Sequence, residues 1–193
     1  SGISYDEYTA IVRERFQKMG YNLDSIHRVP NITEAIENTE AIFIGGGNTF
    51  LLLDGLYKNG VLSGIRSKVE KGVPYVGTSA GANVACPTIK TTNDMPIVYP
   101  PSFFALNLIP FQINPHYLDP DPNSKHQGET RETRINEYHA INDLPVVGLR
   151  EGALLRIEWP VMQLKGTSGA RIFVKGHEPK EYSSGDDLSF LLG

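Results

Sequence analysis

The chain has almost no cysteine, no long apolar run and no excess of positive charge, and each shortage removes a class of protein. The single cysteine, Cys86, excludes an internal disulfide and a cysteine-rich zinc site. No apolar run approaches the roughly 18 residues that a membrane-spanning helix needs. A net charge of -4 offers little attraction to nucleic acid or to an anionic membrane surface. We therefore expect no nucleic acid and no membrane among the partners.

Signatures of nucleotide and metal binding are also missing. The run 45–47 (GGG) has neither the Walker lysine nor the G-x-G-x-x-G spacing, which disfavours a phosphate cradle. The stretch 116–121 (HYLDPD) combines a histidine with two aspartates, but Asp-Pro pairs are typical of turns, so a metal site is disfavoured there. Cys86 is expected in the core, and four histidines in segments without converging polar groups are expected at the surface: His27, His126, His139 and His177.

The length sets the domain organisation. With 193 residues, 40% of them hydrophobic, the chain can bury one sizeable core, and we expect a single α/β domain over residues 1–193. The chain opens with Ser1 directly before a predicted helix, without an initiator methionine or a signal peptide. Because an α/β chain normally begins with a strand, we expect this sequence to lack the N-terminal strands of its domain.

Helical and strand patterns alternate along the chain. Ser4 and Glu7 form a capping box before the first helix, and Asn31 caps a second, shorter one. Further helices are predicted around 50–57 and 62–71, from 80 onward and over 129–139. Strands buried on both faces are predicted at 41–44 and 73–76, two more short strands at 111–113 and 146–149, and a C-terminal antiparallel addition at 154–157 and 171–175. This alternation predicts a mostly parallel sheet with helices on both faces.

The residues that follow the predicted strands point to a site. They are Gly45 to Thr49, then Gly77 to Gly81, then Asn114 to His116, and finally Arg150 to Gly152. Open parallel sheets bind ligands outside the carboxyl ends of their strands, so all four segments are expected at one edge. That edge then carries a serine, a histidine, a carboxylate and a glycine-rich loop.

These groups suit nucleophilic catalysis. The sequence G-T-S-A-G places Ser79 on a strand-to-helix elbow, although a turn without a chemical role is the alternative. A serine hydroxyl needs a base such as His116, and the histidine needs a carboxylate to orient it. Glu151 is favoured as that acid, and Asp94 is retained as a site residue of less certain role. The amide of Ala80 and an amide of Gly46 or Gly47 could bind an oxyanion.

Six blocks of the sequence resemble the peptidase E family, the α-aspartyl dipeptidases. They are IGGGNTF (44–50), GTSAGANVACPTI (77–89), TTNDMPIV (91–98), QINPH (112–116), GETRETRI (128–135) and GLREG (148–152). The resemblance runs in order from about Tyr5 nearly to the C-terminus. It implies a three-layer α/β/α fold related to class I glutamine amidotransferases, with serine in place of their cysteine. It also implies a cytoplasmic serine peptidase that removes N-terminal aspartate from dipeptides without a metal or other cofactor.

The resemblance also assigns individual roles. Ser79 matches the nucleophile, His116 the general base and Glu151 the third member, and Gly47 and Ala80 match the oxyanion-hole amides. Relatives carry a longer N-terminal segment that includes the first strands of the sheet. The sequence leaves both a monomer and a homodimer open.

Three further residues are candidates for substrate binding. Arg131 matches the arginine that pairs with the substrate aspartate, and a guanidinium can grip a carboxylate through two parallel hydrogen bonds. The alternative is a helix-surface arginine paired with Glu129 or Glu132. Asn48 and Asp94 lie in matching blocks, and Asp94 is expected to hold the substrate amine or to brace its loop.

Other function classes stay open at this point. An esterase or other serine hydrolase on the same triad would accept uncharged substrates. A non-catalytic binding protein of the amidotransferase-like fold would not react with a serine-directed phosphonate, and a metallohydrolase would lose its activity in a chelator.

Overall fold

The computed structural model describes residues 3–120 and 128–193. In these residues the helices are α1 Tyr5–Lys18, α2 Ile32–Glu37, α3 Thr49–Lys58, α4 Leu62–Glu70, α5 Ala80–Ala85 and α6 Arg131–Ile141. The strands are β1 Ile42–Ile44, β2 Tyr75–Gly77, β3 Gln112–Pro115, β4 Val146–Leu149, β5 Ala153–Glu158, β6 Val161–Gly166, β7 Ala170–Phe173 and β8 Lys180–Tyr182. The predictions for Asp121 and His126 lie outside the described residues.

Side-chain caps explain where the first helices begin. Ser4 Oγ accepts the N–H of Glu7 at 3.2 Å, and the Glu7 carboxylate accepts the N–H of Ser4 at 2.8 Å, which confirms the predicted capping box. Asn31 and Asn48 cap α2 and α3 by accepting backbone N–H groups of the first turn. Each such cap satisfies a donor that the helix itself cannot, and typically contributes about 1 kcal/mol.

The strands form three sheets in the described residues. β1 pairs with β2 in parallel and β3 pairs with β4 in parallel, whereas β7 and β8 extend the second pair in antiparallel fashion and β5 and β6 form an antiparallel hairpin. The predicted mixed α/β fold is confirmed. The two parallel pairs carry the predicted site, and the finer prediction of one mostly parallel sheet stays a prediction.

The prediction that β1 and β2 are buried on both faces is wrong. Every residue of β1 is only half-buried, and Val76 in β2 keeps 47% of its surface exposed. Ile42 and Ile44 pack against a core cluster formed largely by α2–α5. Phe43 and its partner Val76 lie on the other face, where Phe16 of α1 meets Phe43 with ring centroids 5.2 Å apart. Packing on this second face is thin, so water reaches part of it.

Two further expectations change in the C-terminal half. The antiparallel addition is confirmed, but it contains β6 and β8, which the sequence had not indicated; Met162 and Leu164 point inward from β6 at the two-residue period of a strand. His139 is not at the surface: it is 8% exposed and its Nε2 lies 3.1 Å from the Leu144 carbonyl oxygen. The reason is that the inner face of α6 packs Ile135 and Tyr138 into a core cluster, which draws the adjacent His139 inward.

Helix α5 connects the two main core clusters. Ala82 and Cys86 pack with residues of β3, β4, β6 and β7, whereas Val84 packs with α2, α3 and α4. Cys86 is fully buried as predicted, and burial raises the pKa of its thiol to about 12. The segment that begins with the elbow therefore lies at the junction of both parallel strand pairs. No helix in the described ranges has the length and apolar character needed to cross a membrane.

Candidate active site

Ser79 lies at a sharp turn between β2 and α5. Its backbone has φ 54° and ψ -112°, outside the regions that residues with a side chain ordinarily occupy. Such strain persists only where the surroundings hold it, and it clusters at functional sites. The predicted strand–turn–helix elbow is therefore confirmed.

Two glycines allow the elbow to form. The N–H of Gly81 donates to the Gly45 carbonyl at 3.2 Å, and a Cβ on Gly81 would overlap the Ile44 carbonyl oxygen. A Cβ on Gly77 would lie 2.6 Å from the Gly81 carbonyl oxygen, which also accepts the Tyr75 hydroxyl at 2.7 Å. Only residues without a side chain let α5 approach β1 and β2 this closely.

The parallel pair β3–β4 brings His116 and Glu151 together. Its register places Pro115 opposite Leu149, so the residues that follow the two strands lie side by side. His116 Nε2 lies 2.9 Å from Ser79 Oγ, and His116 Nδ1 contacts the Glu151 carboxylate. The three side chains form one hydrogen-bonded chain. In such a chain the imidazole can take a proton from the hydroxyl while the carboxylate fixes its tautomer.

Asn83 ties the nucleophile's helix to the histidine's strand. It is 1% exposed, and its Nδ2 donates to the Ile113 carbonyl of β3 at 2.9 Å. Cys86 Sγ accepts the N–H of the same Ile113 at 3.2 Å. Sequence reasoning did not single out Asn83. The available signal was an amide inside an otherwise small and apolar helix, since a buried amide needs partners.

The glycine loop after β1 lies beside Ser79. A Cβ on Gly46 would be 3.7 Å from Ser79 Oγ. The N–H of Gly46 donates to the Tyr8 hydroxyl at 3.1 Å, so this amide already has a partner. In the described part of the chain, the N–H groups of Gly47 and Ala80 have no protein acceptor. Sequence reasoning missed Tyr8, because no local pattern marks its hydroxyl as the partner of an amide 38 residues away.

Asn48 and Asp94 form a polar link between the glycine loop and the segment 91–95. Asp94 Oδ2 accepts the N–H of Thr49 at 2.7 Å and its hydroxyl at 2.6 Å. Asn48 Nδ2 donates to the Met95 carbonyl at 2.8 Å. Thr49 is fully buried. Of the two roles expected for Asp94, these contacts are those of a loop brace.

The same segment also reaches the strand that carries His116. Asn93 Nδ2 donates to the Pro115 carbonyl at 2.7 Å, and Asn114 Nδ2 donates to Asn93 Oδ1 at 2.8 Å. The segment 91–95 thus joins the glycine loop to the end of β3. Sequence reasoning missed both asparagines, because their partners lie more than twenty residues away, at separations of 21 and 22.

Arg131 begins α6 and is half-buried. Both carboxylates of the alternative interpretation pair with other arginines: Glu129 with Arg134 at 3.5 Å and Glu132 with Arg171 at 3.3 Å. Burial and the nearby charge of Arg134 lower the pKa of Arg131, which nevertheless stays protonated at neutral pH. No ion pair or hydrogen bond within the described ranges joins Arg131 to Ser79, His116 or Glu151.

In the disfavoured metal motif, His116 and Asp119 have other partners. His116 contacts Ser79 and Glu151, and Asp119 binds Arg150. Across residues 3–120 and 128–193, no group of three or more His, Cys, Asp or Glu side chains is arranged to hold a metal ion.

A serine, a histidine and a carboxylate joined in this order at strand ends of an α/β fold have the geometry of a serine hydrolase site. Comparison with known proteins points to the same class: Peptidase family S51 matches residues 2–163. The chain belongs to this family. The resemblance to peptidase E and the prediction of a peptidase are confirmed.

Three similar proteins illustrate the relationship. "Peptidase E" of Streptomyces coelicolor is 50% identical over 188 residues, which cover 97% of this chain and 77% of the relative. "Probable alpha-aspartyl dipeptidase" of Drosophila melanogaster is 49% identical over 189 residues, or 97% of this chain and 79% of the relative. The crystal structure of a peptidase from an acI-B1 Actinobacterium shares the fold, with a TM-score of 0.71 at 19% identity over 98% of this chain and 79% of that one.

Proposed function

We propose that this protein is a serine α-aspartyl dipeptidase that hydrolyses dipeptides with an N-terminal aspartate. The observation that carries the proposal is the hydrogen-bonded chain from Ser79 through His116 to Glu151. The printed names of the relatives from Streptomyces and Drosophila support both the peptidase class and the substrate.

The proposed reaction has two stages. Ser79 Oγ attacks the carbonyl carbon of the substrate aspartate while its proton passes to His116 Nε2. The tetrahedral intermediate collapses when Nε2 returns the proton to the leaving amine, which leaves aspartate bound to Ser79 as an ester. Water then attacks the ester with His116 again acting as base, releasing aspartate and restoring the serine. Glu151 orients the imidazole and stabilises its protonated form.

The amides of Gly47 and Ala80 are the proposed oxyanion donors. Ala80 follows Ser79 in the chain, and Gly47 follows Gly46, whose Cβ position is 3.7 Å from Ser79 Oγ. Neither amide has a protein acceptor in the described part of the chain, whereas Gly46 donates to Tyr8. Removal of one such donor typically costs about 10²–10³ in turnover, so the pair would stabilise the transition state substantially.

Arg131 is the proposed partner of the substrate β-carboxylate. Arg131 is half-buried, and the two neighbouring glutamates of the helix-surface alternative pair with other arginines. A planar guanidinium can form two parallel hydrogen bonds with a carboxylate but not with an amide, which would distinguish Asp-Leu from Asn-Leu.

The test measures hydrolysis of Asp-Leu, Asn-Leu and Glu-Leu. We expect hydrolysis of Asp-Leu by the wild-type protein and a loss of about 10³-fold or more in Ser79→Ala, because the remaining donors give only residual catalysis. Ser63→Ala, an exposed position on α4, is the matched control and should retain full activity. Full activity of Ser79→Ala would overturn the proposal.

Arg131→Ala separates this function from its main rival. We expect a loss of about tenfold to 10²-fold in kcat/KM for Asp-Leu, because hydrogen bonds to a charged group are lost. Arg134→Ala is the control, since that arginine pairs with Glu129. An esterase on the same triad would keep its turnover in Arg131→Ala, and a binding protein would hydrolyse none of the dipeptides.

We also propose that residues 1–193 belong to one three-layer α/β/α domain related to class I glutamine amidotransferases. The packing of α1 on one face of β1–β2 and of the α2–α5 cluster on the other supports this layering. In that fold the serine stands where the amidotransferases have a nucleophilic cysteine.

A further inference from the structure

The contact between His116 and Glu151 is open to water. The exposed fractions of the two side chains are 49% and 74%. Exposed ion pairs typically contribute about 0–1 kcal/mol, because water screens the charges and two side chains must be ordered. The geometry of this contact therefore depends on what holds the two loops that carry it.

The backbone supplies one link between these loops. β3 and β4 end in register, and the N–H of Tyr117 donates to the Leu149 carbonyl at 3.1 Å. The next link is made by side chains. Arg150 Nε and Nη2 donate to the two carboxylate oxygens of Asp119 at 2.9 and 2.6 Å, which is a bidentate pair.

Arg150 is itself held in place from three sides. It donates to Glu181 of β8 at 2.9 and 3.2 Å, and its guanidinium lies 5.6 Å from the centre of the Tyr117 ring. Its side chain is only 22% exposed. Asp119 and Glu181 raise the pKa of Arg150, and Arg150 lowers that of Asp119, so both groups remain charged at neutral pH. A bidentate, partly buried pair is stronger and more directional than the open His116–Glu151 contact.

We propose that Arg150 and Asp119 are positioning residues, whose ion pair joins the two loops that carry Glu151 and His116 and keeps the acid on the histidine. Arg150 is adjacent in the chain to Glu151, and Asp119 follows His116 by three residues, so the pair is a second link beside the first. This inference rests on the proposed function, since it requires His116 to be a base that Glu151 orients.

The surrounding charges decide which variants test the proposal. Three further charged groups are connected to the pair. Glu181 contacts Arg150 and lies 3.6 Å from Arg171, and Arg171 lies 3.3 Å from Glu132. Removing a charge from this network would alter the field at His116 directly. Arg150→Lys and Asp119→Glu keep every charge. A lysine cannot form the two parallel bonds, and the longer glutamate displaces the carboxylate.

The experiment measures kcat and KM for Asp-Leu, together with thermal unfolding. In Arg150→Lys and in Asp119→Glu we expect kcat to fall about tenfold, because small displacements of a catalytic group are costly. We expect KM to change less than kcat. A merely structural defect would lower the folded fraction, whereas the positioning role lowers kcat per folded molecule while KM changes less.

The matched control is the exposed pair Lys175–Asp143, which joins the segment after β7 to the segment after α6 at 2.7 Å. Lys175→Arg and Asp143→Glu keep their charges and should leave kcat and KM unchanged. The proposal is overturned if both test variants fold and keep the wild-type kcat. An inactive Ser79→Ala with test variants that match the control refutes only the positioning role, whereas an active Ser79→Ala refutes the proposed function itself. If one test variant does not fold, the other decides.

Discussion

Different interactions position the two ends of the proposed triad, Ser79 and Glu151. At the nucleophile end, Ser79 has a strained backbone and leads into α5, where Ala80 is 1% exposed and Val84 is fully buried. At the acid end, Glu151 keeps 74% of its side chain in water, and its histidine comes from 35 residues away. Backbone shape locks the serine, whereas polar contacts between loops align the acid.

This difference predicts different consequences of substitution. On the nucleophile side a new atom meets rigid backbone, so the cost should appear in the free energy of unfolding. On the acid side the surroundings are solvent and flexible side chains. The cost there should appear in turnover while the fold stays intact.

Gly81→Ala should have the largest effect on stability. Its Cβ would overlap the Ile44 carbonyl oxygen, so α5 must move away from β1 at a cost of about 3 kcal/mol in the free energy of unfolding. Urea unfolding measures the cost. Gly55→Ala in α3 is the control: nothing lies within 4 Å of its Cβ position, and alanine should stabilise the helix by about 0.5–1 kcal/mol. If Gly81→Ala were as stable as the wild type, the backbone around Ser79 would not be rigid, and the contrast with the Glu151 end would be wrong.

Glu151→Gln should lower kcat about tenfold to 10²-fold and leave thermal unfolding unchanged. The expected loss is smaller than the roughly 10⁴-fold seen for a buried triad acid, because water screens this carboxylate. Steady-state hydrolysis of Asp-Leu measures kcat, and thermal melting checks the fold. Glu158→Gln, an exposed carboxylate 70% in water and paired with Arg156, is the control. If Glu151→Gln lowered the stability and left turnover unchanged, Glu151 would be a residue of the packed scaffold, and the prediction would be contradicted.

Thr49→Val should have the smallest effect. The buried Thr49 hydroxyl donates to the Asp94 carboxylate at 2.6 Å. Valine has the same shape but cannot make this hydrogen bond, so the free energy of unfolding should fall by about 1–2 kcal/mol. Calorimetric melting measures it. Thr133→Val on the exposed face of α6 should stay within about 0.5 kcal/mol of wild type. Equal effects of the two changes would show that the brace between the glycine loop and 91–95 is weak.

Much of the site could be predicted because its parts carry local signals. The elbow around Ser79, the glycine loop and the positions of His116 and Glu151 after strands follow from short motifs and from the rule for strand ends. The contributions of Tyr8, Asn83 and Arg150 could not be predicted. Each of these side chains contacts a residue distant in the chain, and no local sequence pattern indicates which residue that is.

The errors have a similar origin. Apolar runs predicted strands buried on both faces, but burial depends on which helices cover a sheet, and Val76 remains half exposed. His139 looked like a surface residue because its segment is polar. The packing of Ile135 and Tyr138 decided otherwise.

By itself, the sequence determined the mixed α/β class, the caps of the first helices, the strained serine turn and the family. These depend on neighbours in the chain, whose geometry is set by covalent connection and short-range sterics. Only the tertiary structure decided which carboxylate contacts His116, which glycine N–H donates to the Tyr8 hydroxyl, and which backbone N–H the Asp94 carboxylate accepts. Those outcomes depend on the register of β3 against β4 and on the packing of α1 and α5, which join residues that the chain keeps far apart.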